Sequence, residues 1–435
     1  MIWIVIASGL ALYVAWNLGA NDVANSMGTS VGSGAVSLRQ ALAIAGVLEF
    51  AGAVLFGQRV VDMLASGVVS PDQFTDTPQV LVLGMVSVLL TCGLWLNLAT
   101  RLGLPVASSH AVVGAIAGFG WAASGLHSVN GSLLGQISLT WLVTPLISGA
   151  IAAGVYTVLR RGILQAPQPL QQTYEWLPWL SLVLVSGFGL IVLPGLQPAI
   201  SAQISDQISD QISDRISAQI NLPFHTLALA TGAIATLGLS AIAARPVVLS
   251  DAPNPTEDNG EGIAVKLANP VEQIMARFQL ISACFVAFAH GSNDVGNAIA
   301  PLATIVHLTQ PAGDDAILPM WILGLGALGM VGGLAVWGGR VIATIGKGIV
   351  ALQPSSGLCA ELATAATVLI ASRVGLPVST SHALVGAVVG IGLSQRNSQI
   401  HWSMVRQIGL AWVGTIPLCG GLAAAIFWGL ISLTH

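Results

Sequence analysis

Asp22 and Asn25 lie three residues apart, and the same pair recurs as Asp294 and Asn297. On a helix, positions i and i+3 share a face, so each copy points a carboxylate and an amide in one direction. Asn21 and Asn293 add a further amide beside each carboxylate. Carboxylate and amide oxygens are hard ligands, suited to an alkali cation. The flanking glycines (Gly19, Gly28, Gly291, Gly296) are expected to let the helix break and offer loose backbone carbonyls to the same ion. The alternative is structural: the aspartates cap a broken helix and the asparagines hold two parts of the chain together.

A second polar group is made of hydroxyls, Ser108 and Ser109 in one place and Ser379, Thr380 and Ser381 in another. Each group follows a Gly-x-Pro-Val turn and precedes an apolar run, which makes it a helix N-terminus. Free N–H groups and the helix dipole favour an anion there. Two such N-termini facing one another would form an uncharged cradle of N–H and O–H donors for an oxyanion; simple N-capping by Ser is the alternative. His110 and His382 close the two motifs and read as packing and hydrogen-bonding residues ahead of a proton relay.

The signatures GANDVAN (19–25) and GSNDVGN (291–297) are 272 residues apart, and so are RLGLPVASSHAVVGA (101–115) and RVGLPVSTSHALVGA (373–387). Two motifs that keep one offset indicate a duplicated chain, and the polar residues shared by the copies mark a central site. Glu49 and Glu361 are intramembrane carboxylates that break the offset. Each is a candidate cation or coupling-proton group, or a structurally paired residue.

Charged residues are 7% of the 435 residues and apolar ones 54%, with a mean hydropathy of +0.82; a soluble chain carries roughly 25% charge. The expected class is an all-α polytopic membrane protein of about twelve transmembrane helices. Spans are placed near 1–18, 38–61, 79–98, 105–126, 136–159, 178–197, 224–244, 277–290, 316–338, 355–372, 381–395 and 407–433. Those beside the motifs read as broken or re-entrant. The run from Met1 to Leu18 lacks a basic start and a cleavage site, so it reads as a first span.

An odd count before the second copy inverts it, giving two inverted repeats (1–160 and 276–435) joined by 161–275. The joining region holds two intervening spans, a low-complexity linker (204–220) and a polar, acidic cytoplasmic loop (246–270). With both termini extracytoplasmic, only Arg59, Arg215 and Arg373 of the 14 Lys and Arg face outward, as the positive-inside rule requires. The net charge of −4 offers nothing to a nucleic acid, and the four scattered Cys (Cys92, Cys284, Cys359, Cys419) read as buried thiols.

With only two Lys in the chain, a bound anion would have to be balanced by cations on Asp22 and Asp294, aided by Arg101 and Arg373. Sites that need each other's charge are coupled, and the coupling is symport.

The doubled GANDVAN/GSNDVGN and GLPV-[AS]-[ST]-S-H motifs resemble those of the inorganic phosphate transporter (PiT) family of secondary symporters. The resemblance covers the chain apart from its two connectors. It implies an inverted-repeat fold and inward phosphate transport driven by Na⁺ or H⁺ in an inner or plasma membrane, with no cofactor. Asn25, Asn297, Ser108, Ser109, Ser379, Thr380 and Ser381 would then bind phosphate. Asp22, Asn21, Asp294, Asn293, Glu49 and Glu361 would bind or couple the cation, with Na⁺ on Asp22 and Asp294 if sodium is the coupling ion. Partners would be phosphate, the cation, lipid and, in a homo-oligomer, a second copy of the chain. A sulfate or other oxyanion permease of the same fold is the alternative reading. An anion channel and an intramembrane hydrolase are remote ones. Gly28–Gly32 matches G-x-S-x-G but lacks the strand–turn–helix setting that motif needs.

Overall fold

The computed structural model describes residues 2–102, 106–207, 230, 232–234, 238, 269–309, 318–345, 349–395 and 400–434. The expected span near 224–244 and both connectors fall largely outside these residues, as do Arg215, Arg245, Lys266, Lys347 and Arg396.

Among the described residues the chain is helical with no strand, and nine helices are long and apolar enough to cross a membrane. The first half has α1 (Ile2–Gly32), α2 (Leu38–Phe56), short α3 (Gln58–Asp62), α4 (Pro78–Leu102), α5 (Ser108–Ser124) and α6 (Gly131–Leu159). After α7 (Pro169–Gln207) come α8 (Pro270–Thr309), α9 (Met320–Ile345), α10 (Pro354–Arg373), α11 (Thr380–Ser394) and α12 (Trp402–Thr434).

The expected break at the signatures does not occur. GANDVAN lies inside α1 and GSNDVGN inside α8, each an unbroken helix. No backbone carbonyl is freed there, and neither aspartate is a cap. The glycines serve close approach instead: a Cβ on Gly19 would collide with the Met330 backbone of α9, and one on Gly291 with the Glu49 backbone of α2. Small residues that let backbones touch are the main device for helix association in a membrane.

The two signature helices run antiparallel. Ser33 of α1 donates to Gln279 Oε1 of α8 at 2.7 Å, while Asp22 lies beside Asp294 farther along. Next to α1, helix α4 runs in the same direction, tied by Asn97 to Asn17 (2.9 Å) and by Asn21 to Thr100 (3.1 Å). It then folds back into α5, Gly84 packing on Phe119. Helices α10 and α11 repeat the arrangement along α8, through Gln279 to Glu361 (3.0 Å) and Asn293 beside Ser372 (2.9 Å). Gly375 adopts a φ of +74° in that second turn, which glycine meets without strain.

Each hairpin tip therefore stops level with a signature. Because α1 and α8 oppose one another, the tips approach from opposite ends and meet. Arg101 and Arg373, which the sequence reading places at opposite membrane surfaces, both lie at hairpin tips. The halves are interleaved. Gly118 of α5 packs on the Gly420 backbone of α12, and its equivalent Gly390 of α11 on the Gly149 backbone of α6.

Candidate functional site

Where the tips meet the signatures, Asp22, His290 and Asp294 bring ligand atoms within 4.8 Å of one another, all buried. Oxygens so placed can share one hard cation, whose bonds to oxygen run about 2.3–2.6 Å for an ion of calcium's size. Each aspartate meets a hydroxyl from the first residue of a tip helix. Ser108 faces Asp22, and Thr380 donates to Asp294 Oδ2 at 3.0 Å. Both pairs keep the 272-residue offset, so the duplication has built one junction twice.

The amides complete it. Asn25 Nδ2 approaches Asp22 Oδ1 at 3.5 Å, and Asn297 Nδ2 donates to Ser108 Oγ at 3.2 Å, crossing between the halves. Ser379 caps α11 by accepting from the His382 N–H, and its hydroxyl lies 2.8 Å from that of Ser381. The cap position of α5 is Ala107, which has no side chain to offer. Beside it, Ser109 Oγ is buried with no partner.

Two expected ligands do other work. Asn21 donates to Thr100, and the Asn293 amide lies against Ser372 and, with its oxygen toward that hydroxyl, donates to Asp294 Oδ1 at 3.2 Å; both tie a hairpin arm to its signature helix. Glu361 stands apart from the aspartates in its own polar cage. Its Oε1 accepts from Thr29 (2.6 Å), Ser30 (2.6 Å) and Gln279 (3.0 Å), and its Oε2 from Ser282 (2.6 Å). Seven residues separate Thr29 from Asp22, about 10 Å along the helix.

Glu49 reaches the site through a residue the sequence reading did not single out. His290 Nδ1 lies 3.0 Å from Glu49 Oε1 and its Nε2 2.9 Å from Asp294 Oδ2; Ser26 donates to the same glutamate oxygen at 2.9 Å. His290 sits one turn before Asp294, but its counterpart in the first copy is Leu18, so ranking shared residues passes over it.

Behind the tips, the two motif histidines, His110 and His382, form a reciprocal cluster. His110 stacks on Trp141 (3.9 Å between ring centroids) and its Nδ1 lies 2.9 Å from the Trp412 carbonyl. His382 stacks on Trp412 (3.6 Å) and its Nδ1 lies 2.9 Å from the Trp141 carbonyl. The imidazoles touch edge to face at 4.7 Å. A carbonyl only accepts, so in the neutral rings Nδ1 carries the hydrogen. Because each ring links α6 to α12, the two should not act independently. His110→Ala and His382→Ala are expected to show a coupling of about 0.5–3 kcal/mol in a double-mutant cycle of unfolding in detergent. Strictly additive losses would show the cluster to be two separate contacts.

A helical membrane protein that sets paired carboxylates against paired helix N-termini, on antiparallel copies of one motif, has the build of a secondary transporter. The chain belongs to the phosphate transporter family, whose model matches residues 18–423. It is 37% identical to the chloroplastic inorganic phosphate transporter 2-1 of Arabidopsis thaliana, over 96% of this chain and 70% of that one. A Haemophilus influenzae protein, named as a candidate phosphate permease, is 36% identical over 100% of this chain and 97% of its own. A solved structure titled the sodium-dependent phosphate transporter superposes with a TM-score of 0.81 at 29% identity, covering 99% of this chain and 100% of that one. The chain is an integral membrane protein.

Proposed function

We propose that the chain is a symporter carrying inorganic phosphate with a cation, by alternating access around the junction of the two hairpin tips. One observation carries the reading. Asp22 and Asp294, buried side by side, each face the first hydroxyl of a helix from the hairpin of their own half, and Thr380 donates to Asp294. The carboxylates are the cation's partners, and the N–H groups and hydroxyls of α5 and α11 are the anion's. Two like charges buried this close are costly unless a cation joins them, and the cation in turn favours an anion at the neighbouring N-termini. Each ligand improves the other's site, which is the thermodynamic content of coupling. Sodium is the cation we propose, in keeping with the printed name of the structural relative. Phosphate enters the cytoplasm across an inner or plasma membrane with both termini outside. No covalent step and no resident cofactor is part of the scheme.

The test is radiolabelled phosphate uptake into proteoliposomes, with an imposed Na⁺ gradient compared against an imposed pH gradient. Stimulation by the Na⁺ gradient, undiminished by excess sulfate, is the expected result. Uptake indifferent to both gradients, or suppressed equally by sulfate, would overturn the reading.

A further inference from the structure

Asn297 holds an acceptor that nothing in the protein uses. Its side chain is 2% exposed, and its Nδ2 donates to Ser108 Oγ. The Ser108 hydroxyl in turn faces the Asp22 carboxylate. With Nδ2 on Ser108, Oδ1 is the free end, buried without a partner. Buried amide oxygens are almost always satisfied, so a bare one at the start of α5 calls for a donor that arrives with the ligand. Ser109 Oγ, also buried without a partner, makes no bond to this oxygen. The aspartates are acceptors, and the uncapped N–H groups at the start of α5 serve the oxygens of an oxyanion. Oδ1 needs something different, a hydroxyl.

We propose that Asn297 Oδ1 accepts the hydrogen of a protonated phosphate and by that contact turns sulfate away. The inference rests on the phosphate reading above. Near neutral pH every phosphate ion carries at least one P–OH, whereas sulfate carries none. In the same pose sulfate sets one lone pair against another and leaves the buried oxygen unsatisfied. A site built to bind a substrate hydroxyl discriminates strongly against an analogue lacking it, and a repulsive contact adds to specificity as much as an attractive one.

The experiment is a competition series against labelled phosphate uptake in proteoliposomes of the full chain. The competitors are arsenate, which keeps a hydroxyl, and sulfate and fluorophosphate, which do not. Fluorophosphate has the shape and charge of hydrogen phosphate, but its fluorine donates nothing. In the wild type arsenate should compete well, and the other two should require roughly 10- to 100-fold more. Asn297→Leu should slow phosphate uptake, and in the uptake that remains the three competitors should converge. Ser108→Ala, which removes only the partner of Nδ2, should slow uptake while keeping their ranking. Fluorophosphate competing as well as arsenate in the wild type would overturn the proposal whether or not any variant folds. So would an Asn297→Leu protein that keeps the wild-type ratios. Phosphate uptake without discrimination overturns this proposal alone; absence of wild-type uptake overturns the transport reading, and this one with it.

Discussion

Replacing Asp294 with Asn should abolish cation-coupled phosphate uptake while leaving a folded protein. Asparagine keeps the shape, and its amide oxygen can still accept from Thr380, so the α8–α11 junction survives. What is lost is one of the two charges proposed to hold the cation, together with the contact to His290. The expected loss is about 100-fold or more in coupled uptake, equivalent to about 2.7 kcal/mol. Stability should hold or rise, because removing a buried charge from a crowded set of carboxylates relieves a desolvation cost. Asp22→Asn should behave alike through Ser108. Uptake assays paired with thermal unfolding in detergent separate the outcomes. Full coupled uptake in both variants would sink the assignment, and collapse of both would return the aspartates to a structural role. The capping version of that role no longer stands, since both residues lie inside unbroken helices.

What the sequence made legible follows from what the duplication repeats. Asp22, Asn25 and Ser108 share an offset with Asp294, Asn297 and Thr380, and these six form the junction. Residues present in one copy only escape such a comparison. His290 answers to Leu18, yet it joins Glu49 to Asp294; Gln279 and Ser282, which help hold Glu361, are invisible for the same reason. Trp141 and Trp412 stand 271 residues apart, a one-residue slip that hides their reciprocal role around the histidines. Hairpin depth was legible only in part. Hydropathy marks an apolar helix but does not say where it turns back, so it could not place Arg101 and Arg373 at the hairpin tips.

The glycines show the other limit, and they carry the second large effect. Gly291→Val should fail to yield folded protein, and Gly291→Ala should be severely destabilised. The atom a Cβ would meet is backbone of Glu49, which cannot rotate away as a side chain can. Relief would require α2 to withdraw from α8, and that same shift would pull Glu49 off His290. Ordinary overpacking costs about 1–3 kcal/mol, and a backbone collision in a membrane core exceeds it. Gly28, a few residues past the first signature, gives the contrast. A Cβ there would touch only Ala24 Cβ, at 4.0 Å. Gly28→Ala should therefore be tolerated, and should gain up to about 1 kcal/mol of helix propensity. Had these glycines been hinges in a broken helix, both substitutions would stiffen the break and both would impair transport. Close packing predicts that only Gly291 is intolerant, and yield and melting temperature of the two alanine variants in detergent distinguish the cases before any transport is measured.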